Sequence, residues 1–412
     1  MHDTLAPESQ RWLELVDIFA RRAARFGYGL VLTPVLEHLE VFRRVGEATE
    51  IVRKEMYVFA DKGGREMALR PEGTAPVVRA FVQHNPTAPW KAWYVAPHFR
   101  YERPQKGRYR QHHQVGVEVI GADDPDLDVE VIALARGFYE DLGLQRVSLL
   151  LNSLGDERCR PDYLETLRAY LREHVEQLCE DSQARLEENP LRVLDCKRPG
   201  CVAVSEGAPQ LIEHLCQECS RHFERVREGL TALGLAYEIA PRLVRGLDYY
   251  TRTTFEFTSG ALDAAQNAIG GGGRYDGLVE QMGGPATPGI GFGIGIERVL
   301  ISCDAEGALP TKVPSLDAYV VDINAGTEAV RLLHELRTAG LSADRCYGGR
   351  SVKAQWRAAG KAGALYVVMM GQDEIERGSV AVKDMSTGEQ VEVGRDRVVG
   401  WLSNLAASGG PA

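Results

Sequence analysis

Glu72, Thr74, Arg100, Gln114 and Glu118 are the first residues of this 412-residue chain whose types and spacing suit ligand chemistry. Gln114, Gly116 and Glu118 alternate with Val115, Val117 and Val119. The two-residue period of a strand puts the first three on one face and the valines on the other. An amide, a glycine gap and a carboxylate on one face suit a small polar ligand with a cationic or donor group. An amphipathic strand with its polar face in water gives the same pattern. Arg100, in Phe99-Arg100-Tyr101-Glu102, adds a cation that could share the pocket. Glu72 and Thr74, within Arg-Pro-Glu-Gly-Thr at 70–74, either bind an ammonium group or cap the helix that starts near Ala75.

Three glycine-containing stretches follow. Arg245-Gly246-Leu247-Asp248-Tyr249-Tyr250 sets an arginine beside a glycine and then two tyrosines, which suits anion binding with close backbone approach. Gly270–Gly273, followed by Arg274-Tyr275-Asp276-Gly277, either lets the main chain lie flat against a ligand or makes an ordinary bend. From Gly289 to Gly295 glycine alternates with apolar residues, and a helix with Glu297 and Arg298 follows. A strand stripped on one face could stack an adenine ring, with Arg298 reaching terminal phosphates; a tightly packed strand crossing is the alternative. The GxxxxGK[ST] loop is absent and no GxGxxG has its strand–helix context, which disfavours the ATP-binding folds with those signatures.

Two basic segments complete the inventory. Arg103-Pro104-Gln105-Lys106-Gly107-Arg108-Tyr109-Arg110 holds four basic residues and no acidic one. It could follow a phosphate backbone while Gln105 reaches a base edge, or be a solvated turn. In 345–361, Arg350, Lys353, Arg357 and Lys361 fall on one helical face, with Arg345 before them and Trp356 either stacking on a base or in the core.

These residues need elements to position them. Trp12, Leu13, Leu15, Val16, Phe19, Ala20 and Ala23 form a helical stripe stopped by Gly27 and Gly29. Pro34 ends the extended segment after it, which predicts an edge strand. Trp90 to Gly121 reads as a long antiparallel hairpin whose turn is the first basic segment. Asp128–Tyr139 is helical by period, Val147–Asn152 is a strand, and 155–235 is helix-rich with six of the eight cysteines. Strands at Tyr237–Ala240 and Thr253–Phe257 precede the glycine runs. After Pro310 and Pro314, strand 317–323, helices 328–339 and 351–359, and strand 365–370 read as a separate βαβαβ domain.

Arg100, Arg245 and Arg298, each in a distinctive setting, resemble the arginine set of the class II aminoacyl-tRNA synthetases. RGLDYYTRTTFEF at 245–257, GGGRYDGL at 271–278, RPEGT at 70–74 and FRYERPQKGRYRQHHQVGVEVIG at 99–121 resemble the histidyl-tRNA synthetase family. The resemblance covers almost the whole chain. It implies an α+β fold: an antiparallel-sheet catalytic domain at 1–154 and 236–309, a helical insertion at 155–235, and a C-terminal α/β anticodon-binding domain at 315–412. The implied activity is ATP-dependent, AMP- and diphosphate-forming ligation of L-histidine to the 3′ end of tRNA(His), with Mg²⁺ on the phosphates.

By the same resemblance Glu72, Thr74 and Gln114 hold the ammonium group, Glu118 and Tyr250 read the imidazole, and Tyr249 and Tyr275 line the pocket. Arg100 binds the α-phosphate, Arg245 sits between substrate carboxylate and α-phosphate, and Arg298 clamps the γ-phosphate, with Glu102 at the ATP site. Arg103, Gln105, Lys106, Arg108 and Arg110 meet the tRNA acceptor end, and Arg350, Lys353 and Arg357 meet tRNA elsewhere. The segment around Pro34 implies a homodimer. The chief alternative is the non-catalytic regulatory subunit of ATP phosphoribosyltransferase, a paralogue that typically lacks the anticodon domain and key arginines.

Three features bear on partners and compartment. The formal charge is −10, from 48 Lys and Arg against 58 Asp and Glu, so RNA contact is expected only at local basic surfaces within a Debye length of about 8 Å. No apolar run approaches a membrane span and no secretory leader opens the chain, so a cytoplasmic protein without a membrane partner is expected. Cys196-x4-Cys201 and Cys216-x2-Cys219 form a four-thiolate zinc pattern or are scattered buried thiols. Against the family pattern, the chain starts abruptly at Met1-His2-Asp3, and His112 replaces an aromatic found in some members.

Overall fold

The computed structural model describes residues 3–44, 46, 51–101, 107–244, 247–263, 267–310 and 315–407. Contacts divide the chain into two units at Pro310/Thr311. The first holds strands β1 (Gly29–Leu30), β2 (Leu36–His38), β3 (Tyr57–Ala60), β4 (Glu66–Leu69), β5 (Trp90–Phe99), β6 (Gln111–Ile120), β7 (Val147–Ser153), β8 (Glu238–Ile239), β9 (Thr251–Ser259), β10 (Ala268–Arg274) and β11 (Gly289–Gly295).

Eight of these form one sheet in the order β1-β5-β6-β11-β10-β9-β7-β8. Only its outer pairs, β1 with β5 and β7 with β8, are parallel. As expected, the segment before Pro34 forms an edge strand. The valine face of β6 joins a core built with the helices Glu8–Arg25, Pro125–Asp141, Gln217–Ala232 and Ile296–Glu306. Phe19 meets Phe138 edge-on there, at 5.0 Å between ring centroids. Helix Pro125–Asp141 starts where Asp124 accepts from the Asp126 amide at 2.9 Å, with proline in the first turn. The sheet's other face carries the ligand-binding candidates.

Several features add to the sequence reading or depart from it. Gly270–Gly273 forms part of a central strand, not a bend. β2, β4 and β3 make a separate antiparallel sheet that three- and four-residue strands left without a readable period. Arg70 anchors the chain around Pro34, donating to the carbonyls of Thr33 (2.8 Å) and Pro97 (2.9 Å). The last helix of the helix-rich segment, Gln217–Ala232, packs Phe223, Val226 and Leu230 into the main core. The thiols also group differently: Cys216 and Cys219 lie with Asp156 and Cys159, whereas Cys196 and Cys201 lie with Cys179. The four-thiolate alternative offered by the spacing is therefore not one cluster, since each cysteine pair joins a different group.

A buried ion cluster ties three elements together. Arg274, at the end of β10 and fully buried, donates to Asp128 at 2.5 Å and Asp276 at 3.2 Å. His222 contacts the other Asp128 oxygen at 2.7 Å. Arg274→Ala takes the guanidinium from the buried Asp128 carboxylate and leaves it His222 on its other oxygen, so unfolding free energy should fall by about 3–5 kcal/mol. Denaturant titration checks this, and a loss below about 1 kcal/mol would contradict the role.

The second unit holds β12 (Ala318–Ile323), β13 (Ala343–Arg345), β14 (Tyr366–Gly371), β15 (Ser379–Asp384) and β16 (Gln390–Gly394), in the order β13-β12-β14-β15-β16. β13, β12 and β14 are parallel, and β15 and β16 extend the sheet antiparallel. The sequence reading missed this hairpin and the final helix, Val398–Ala407. Val398 and Leu402 pack with Leu332 and Leu336 of helix Thr327–Thr338 in one core. Ala359 of helix Val352–Lys361 packs in another.

Candidate active site

The alternating glycines of β11 make room for polar side chains of its neighbours. Gly291 pairs with Glu118, and a Cβ there would stand 1.9 Å from the Glu118 carboxylate. A Cβ at Gly289 would meet the Tyr275 ring at 2.2 Å, and one at Gly293 would touch the Gln114 amide at 3.2 Å. The Gly116 gap is filled by Tyr94, whose hydroxyl would lie 2.4 Å from a Cβ at that position. Tyr94 was not singled out from sequence, since nothing in one strand shows what its neighbour places opposite a glycine. Both crossing and open-face readings of β11 are therefore partly right. Its Gly289–Gly291 half is packed, whereas nothing lies within 4 Å of a Cβ at Gly295.

A compact polar pocket sits at the packed half. Glu118 is fully buried and accepts from the Tyr275 hydroxyl at 2.6 Å and the Thr74 hydroxyl at 2.7 Å. Glu72, also buried, accepts from the amides of Thr74 (2.8 Å) and Ala75 (2.7 Å) at the start of helix Thr74–His84. It thus does what a capping residue does while facing Tyr249, whose hydroxyl stands 3.4 Å away. The Tyr249 and Tyr250 rings lie 4.7 Å apart between centroids, tilted at 48° to each other. Burial pushes the Glu118 carboxyl up to about 8, against the opposing hydrogen bonds of Tyr275 and Thr74. Burial also raises Glu72, opposed by its backbone hydrogen bonds and by Arg100.

The open half faces a cavity of about 1010 Å³ lined by Arg100, His112, Gln114, Glu256, Gly293, Gly295 and Arg298, among others. Arg100 is steadied by its Nε bond to the Pro71 carbonyl at 2.8 Å, beside Glu72. Arg298, in the first turn of helix Ile296–Glu306, donates to the Ala268 carbonyl at 2.6 Å. His112 stacks on buried His98, 5.7 Å between centroids. Burial, with Arg100 next, pushes His112 down to about 3, and burial, with His112 next, holds His98 well below the usual imidazole range, so both rings stay neutral. Gln114, four residues before Glu118 on β6, lines this cavity. The cavity wall therefore offers four guanidinium groups, those of Arg100, Arg108, Arg242 and Arg298, with a neutral aromatic ring and a bare glycine surface, which suits a planar base with phosphates.

Glu72, Thr74, Glu118, Tyr249, Tyr250 and Tyr275 are thus brought together in one buried cluster, and Gln114, on the same strand as Glu118, lines the cavity with Arg100 and Arg298. Arg245, Glu102, Arg103, Gln105 and Lys106 lie outside the described residues. Arg108 is exposed, and Arg110 lies 4.5 Å over the Tyr101 ring.

Residues 1–299 match the family model described as histidyl-tRNA synthetase, and residues 317–405 match that of the anticodon binding domain. The chain belongs to the histidyl-tRNA synthetase family. It is 48% identical over 398 residues to the histidine–tRNA ligase of Desulforamulus reducens, covering 95% of each chain. To that of Geobacillus kaustophilus it is 49% identical, over 95% of this chain and 94% of the relative. Among solved structures, apo histidyl-tRNA synthetase from S. aureus superposes with a TM-score of 0.83 at 36% identity, over 98% of each chain.

In this synthetase-family chain the anticodon-domain unit presents Arg350, Lys353, Arg357 and Lys361, all exposed. Arg345 instead points back to Asp322 at 3.7 Å and lies over Tyr347. Trp356 is half-buried against the unit's core, with Lys383 5.4 Å over its ring. No helix among the described residues is long and apolar enough to cross a membrane.

Proposed function

We propose that this chain activates L-histidine with ATP and transfers it to the 3′ end of tRNA(His). The observation that carries this reading is the buried Glu118 carboxylate, held by Thr74 and Tyr275 on the strand whose Gln114 lines an arginine-bearing cavity. Without ligand, burial keeps the Glu118 proton up to about pH 8; a bound imidazole favours the ionised form, whose carboxylate has about four lone-pair sites, and Tyr275 and Thr74 occupy two. The remainder can accept an imidazole N–H, with Tyr250 at the ring's other edge. A substrate lacking that N–H would leave a buried acceptor unpaired, which is how such a site rejects other amino acids.

Glu72, Thr74 and Gln114 would take the ammonium group. The substrate carboxylate then attacks the α-phosphorus in line, the bond to the β-phosphate breaks, and pyrophosphate leaves. Arg100 and Arg245 offset charge at the α-phosphate, and Arg298 holds the γ-phosphate. Glu102 is a further ATP-site residue. Mg²⁺ would arrive on the triphosphate, and Glu256 and Glu297 put carboxylate oxygens, its preferred donors, on the cavity wall. A terminal ribose hydroxyl of the tRNA next attacks the activated carbonyl, releasing AMP. No protein nucleophile is required; catalysis is positioning and charge stabilisation.

Arg103, Gln105, Lys106, Arg108 and Arg110 would meet the acceptor end, and Arg350, Lys353 and Arg357 the RNA at the C-terminal unit. A homodimer is supported by exposed apolar residues at and after the edge strand β1, Leu30, Leu32, Val35 and Leu36, and on β3 at Val58 and Phe59; a monomeric sedimentation mass would remove that part. A cytoplasmic location follows from the substrate, as charged tRNA is used there. The retained arginines and anticodon-domain unit favour the ligase over the regulatory paralogue.

Histidine-dependent exchange of pyrophosphate into ATP tests the proposal, and exchange with no amino acid or with another one alone would sink it. Removing 315–412 should lower tRNA charging far more than exchange; equal losses would contradict the assignment of anticodon contact to that unit.

A further inference from the structure

The inserted segment leaves and rejoins the main sheet at one point, after β7 and at the start of helix Gln217–Ala232. Asp156, Cys159, Cys216 and Cys219 meet there, with one potential ligand atom of each within 4.8 Å of the others. Asp156 Oδ1 stands 3.6 Å from Cys159 Sγ and 3.9 Å from Cys216 Sγ. Zinc bound tetrahedrally, at about 2.3 Å from sulfur and about 2.0 Å from oxygen, needs a sulfur–oxygen edge of roughly 3.5 Å. Both halves have a two-residue spacer. The Cys159 amide turns back to the Asp156 carbonyl, and Cys216 sits at the N-terminus of the returning helix.

We propose that Asp156, Cys159, Cys216 and Cys219 bind a structural zinc ion that closes the base of the insertion. Three thiolates and one carboxylate around Zn²⁺ leave a net charge of about −2, and the surroundings offset it. Arg158 donates to Asp156 Oδ2 from Nε (3.1 Å) and Nη2 (2.5 Å), leaving Oδ1 directed at the thiols. Arg252 Nη2 is 3.9 Å from the same Oδ2. Such outer contacts orient a ligating carboxylate. Cys159 and Cys219 are buried, so the site is closed as a structural zinc site should be.

The metal would also reach the histidine pocket mechanically. The Arg252 amide donates to the Gly155 carbonyl at 2.7 Å, and Leu154 donates back to Arg252 at 2.7 Å. Arg160, one residue beyond Cys159, donates to the Tyr250 carbonyl at 2.6 Å. Zinc therefore fixes the entry, the exit and the backbone that carries Tyr250. The other thiol group, Cys179, Cys196 and Cys201, lacks a fourth His, Cys, Asp or Glu within reach among the described residues, and serves as an internal control.

Elemental analysis of the full chain expressed with zinc should find one zinc per chain. Cobalt exchange should give tetrahedral d–d bands and a thiolate-to-cobalt charge-transfer band. Cys159→Ser and Cys219→Ser should lose the metal, and Cys196→Ser should keep it. Arg158→Ala should weaken affinity by roughly 10–100-fold. If the serine variants fail to fold, Asp156→Cys carries the test: it should keep one metal, strengthen the charge-transfer band and slow loss to a chelator. A wild-type chain that neither carries nor titrates with zinc would overturn the proposal. So would loss of metal in Cys196→Ser with retention in Cys159→Ser. None of these readouts depends on the ligase reading.

Discussion

Glu118→Met is expected to lower kcat/KM for histidine in pyrophosphate exchange by roughly 10²- to 10⁴-fold. Methionine keeps the side-chain length but removes every acceptor, so the imidazole N–H and the hydroxyls of Tyr275 and Thr74 all lose their partner. A lost charge-assisted bond and the unpaired donors together amount to about 3–5 kcal/mol, and about 1.4 kcal/mol is tenfold in rate. Glu118→Gln, which keeps one acceptor oxygen, should lose less. Histidine exchange within a few-fold of wild type in Glu118→Met would remove Glu118 from imidazole recognition.

The same variant should alter the pH dependence of stability without ligand. The folded carboxyl, pushed up to about 8 by burial, lies above its ordinary value of 4.5. Between those values the folded state holds a proton that the unfolded state has released, so stability falls as pH rises. Its contribution is whole below about pH 4.5 and is lost as pH climbs through about 8. Glu72 is shifted in the same direction and adds to the slope. Glu118→Met should flatten the decline of Tm between pH 5 and 8, leaving the Glu72 part. An unchanged slope would mean that Glu118 is not protonated in the folded pocket.

Arg100→Ala should lower the exchange rate at saturating ATP and histidine by about 10²- to 10³-fold, the usual cost of removing a donor aimed at developing charge. The α-phosphate gains charge only as the carboxylate attacks, so the loss belongs in kcat. Arg298→Ala should behave differently. The γ-phosphate is charged before and during attack, so its clamp binds ground and transition states alike and its removal should chiefly raise KM for ATP. Among the described residues the Arg100 side chain donates one hydrogen bond, to the Pro71 carbonyl, so unfolding should change little. Identical kcat and KM patterns for the two variants would contradict the division between the phosphates.

Much of this arrangement was legible in local pattern. The alternation Gln114-Val115-Gly116-Val117-Glu118 assigned each side chain a face, because a strand's period is a property of the strand alone. Arg298 at a helix start and the glycine alternation before it were readable for the same reason. Less accessible were groups assembled across distance in the sequence. Arg274 meets Asp128 146 positions away, and Tyr94 fills the gap at Gly116 from the neighbouring strand. The cysteines show the limit best: spacing suggested joining 196 and 201 to 216 and 219, while folding set the last pair against 156 and 159. β2, β3 and β4 are too short to show a period.

By itself, then, the sequence determined which side chains share a strand face or helix end, and through its extended motifs the synthetase family to which the chain belongs. The net charge of −10 said little about RNA, because contact depends on local surfaces such as the exposed Arg350, Lys353 and Arg357. Only the tertiary structure decided that Glu118 is sealed beneath Gly291, that Tyr94 closes the gap at Gly116, and which thiols stand together. Those outcomes depend on strand order and register, set by packing between elements far apart in the chain, and no local period encodes them.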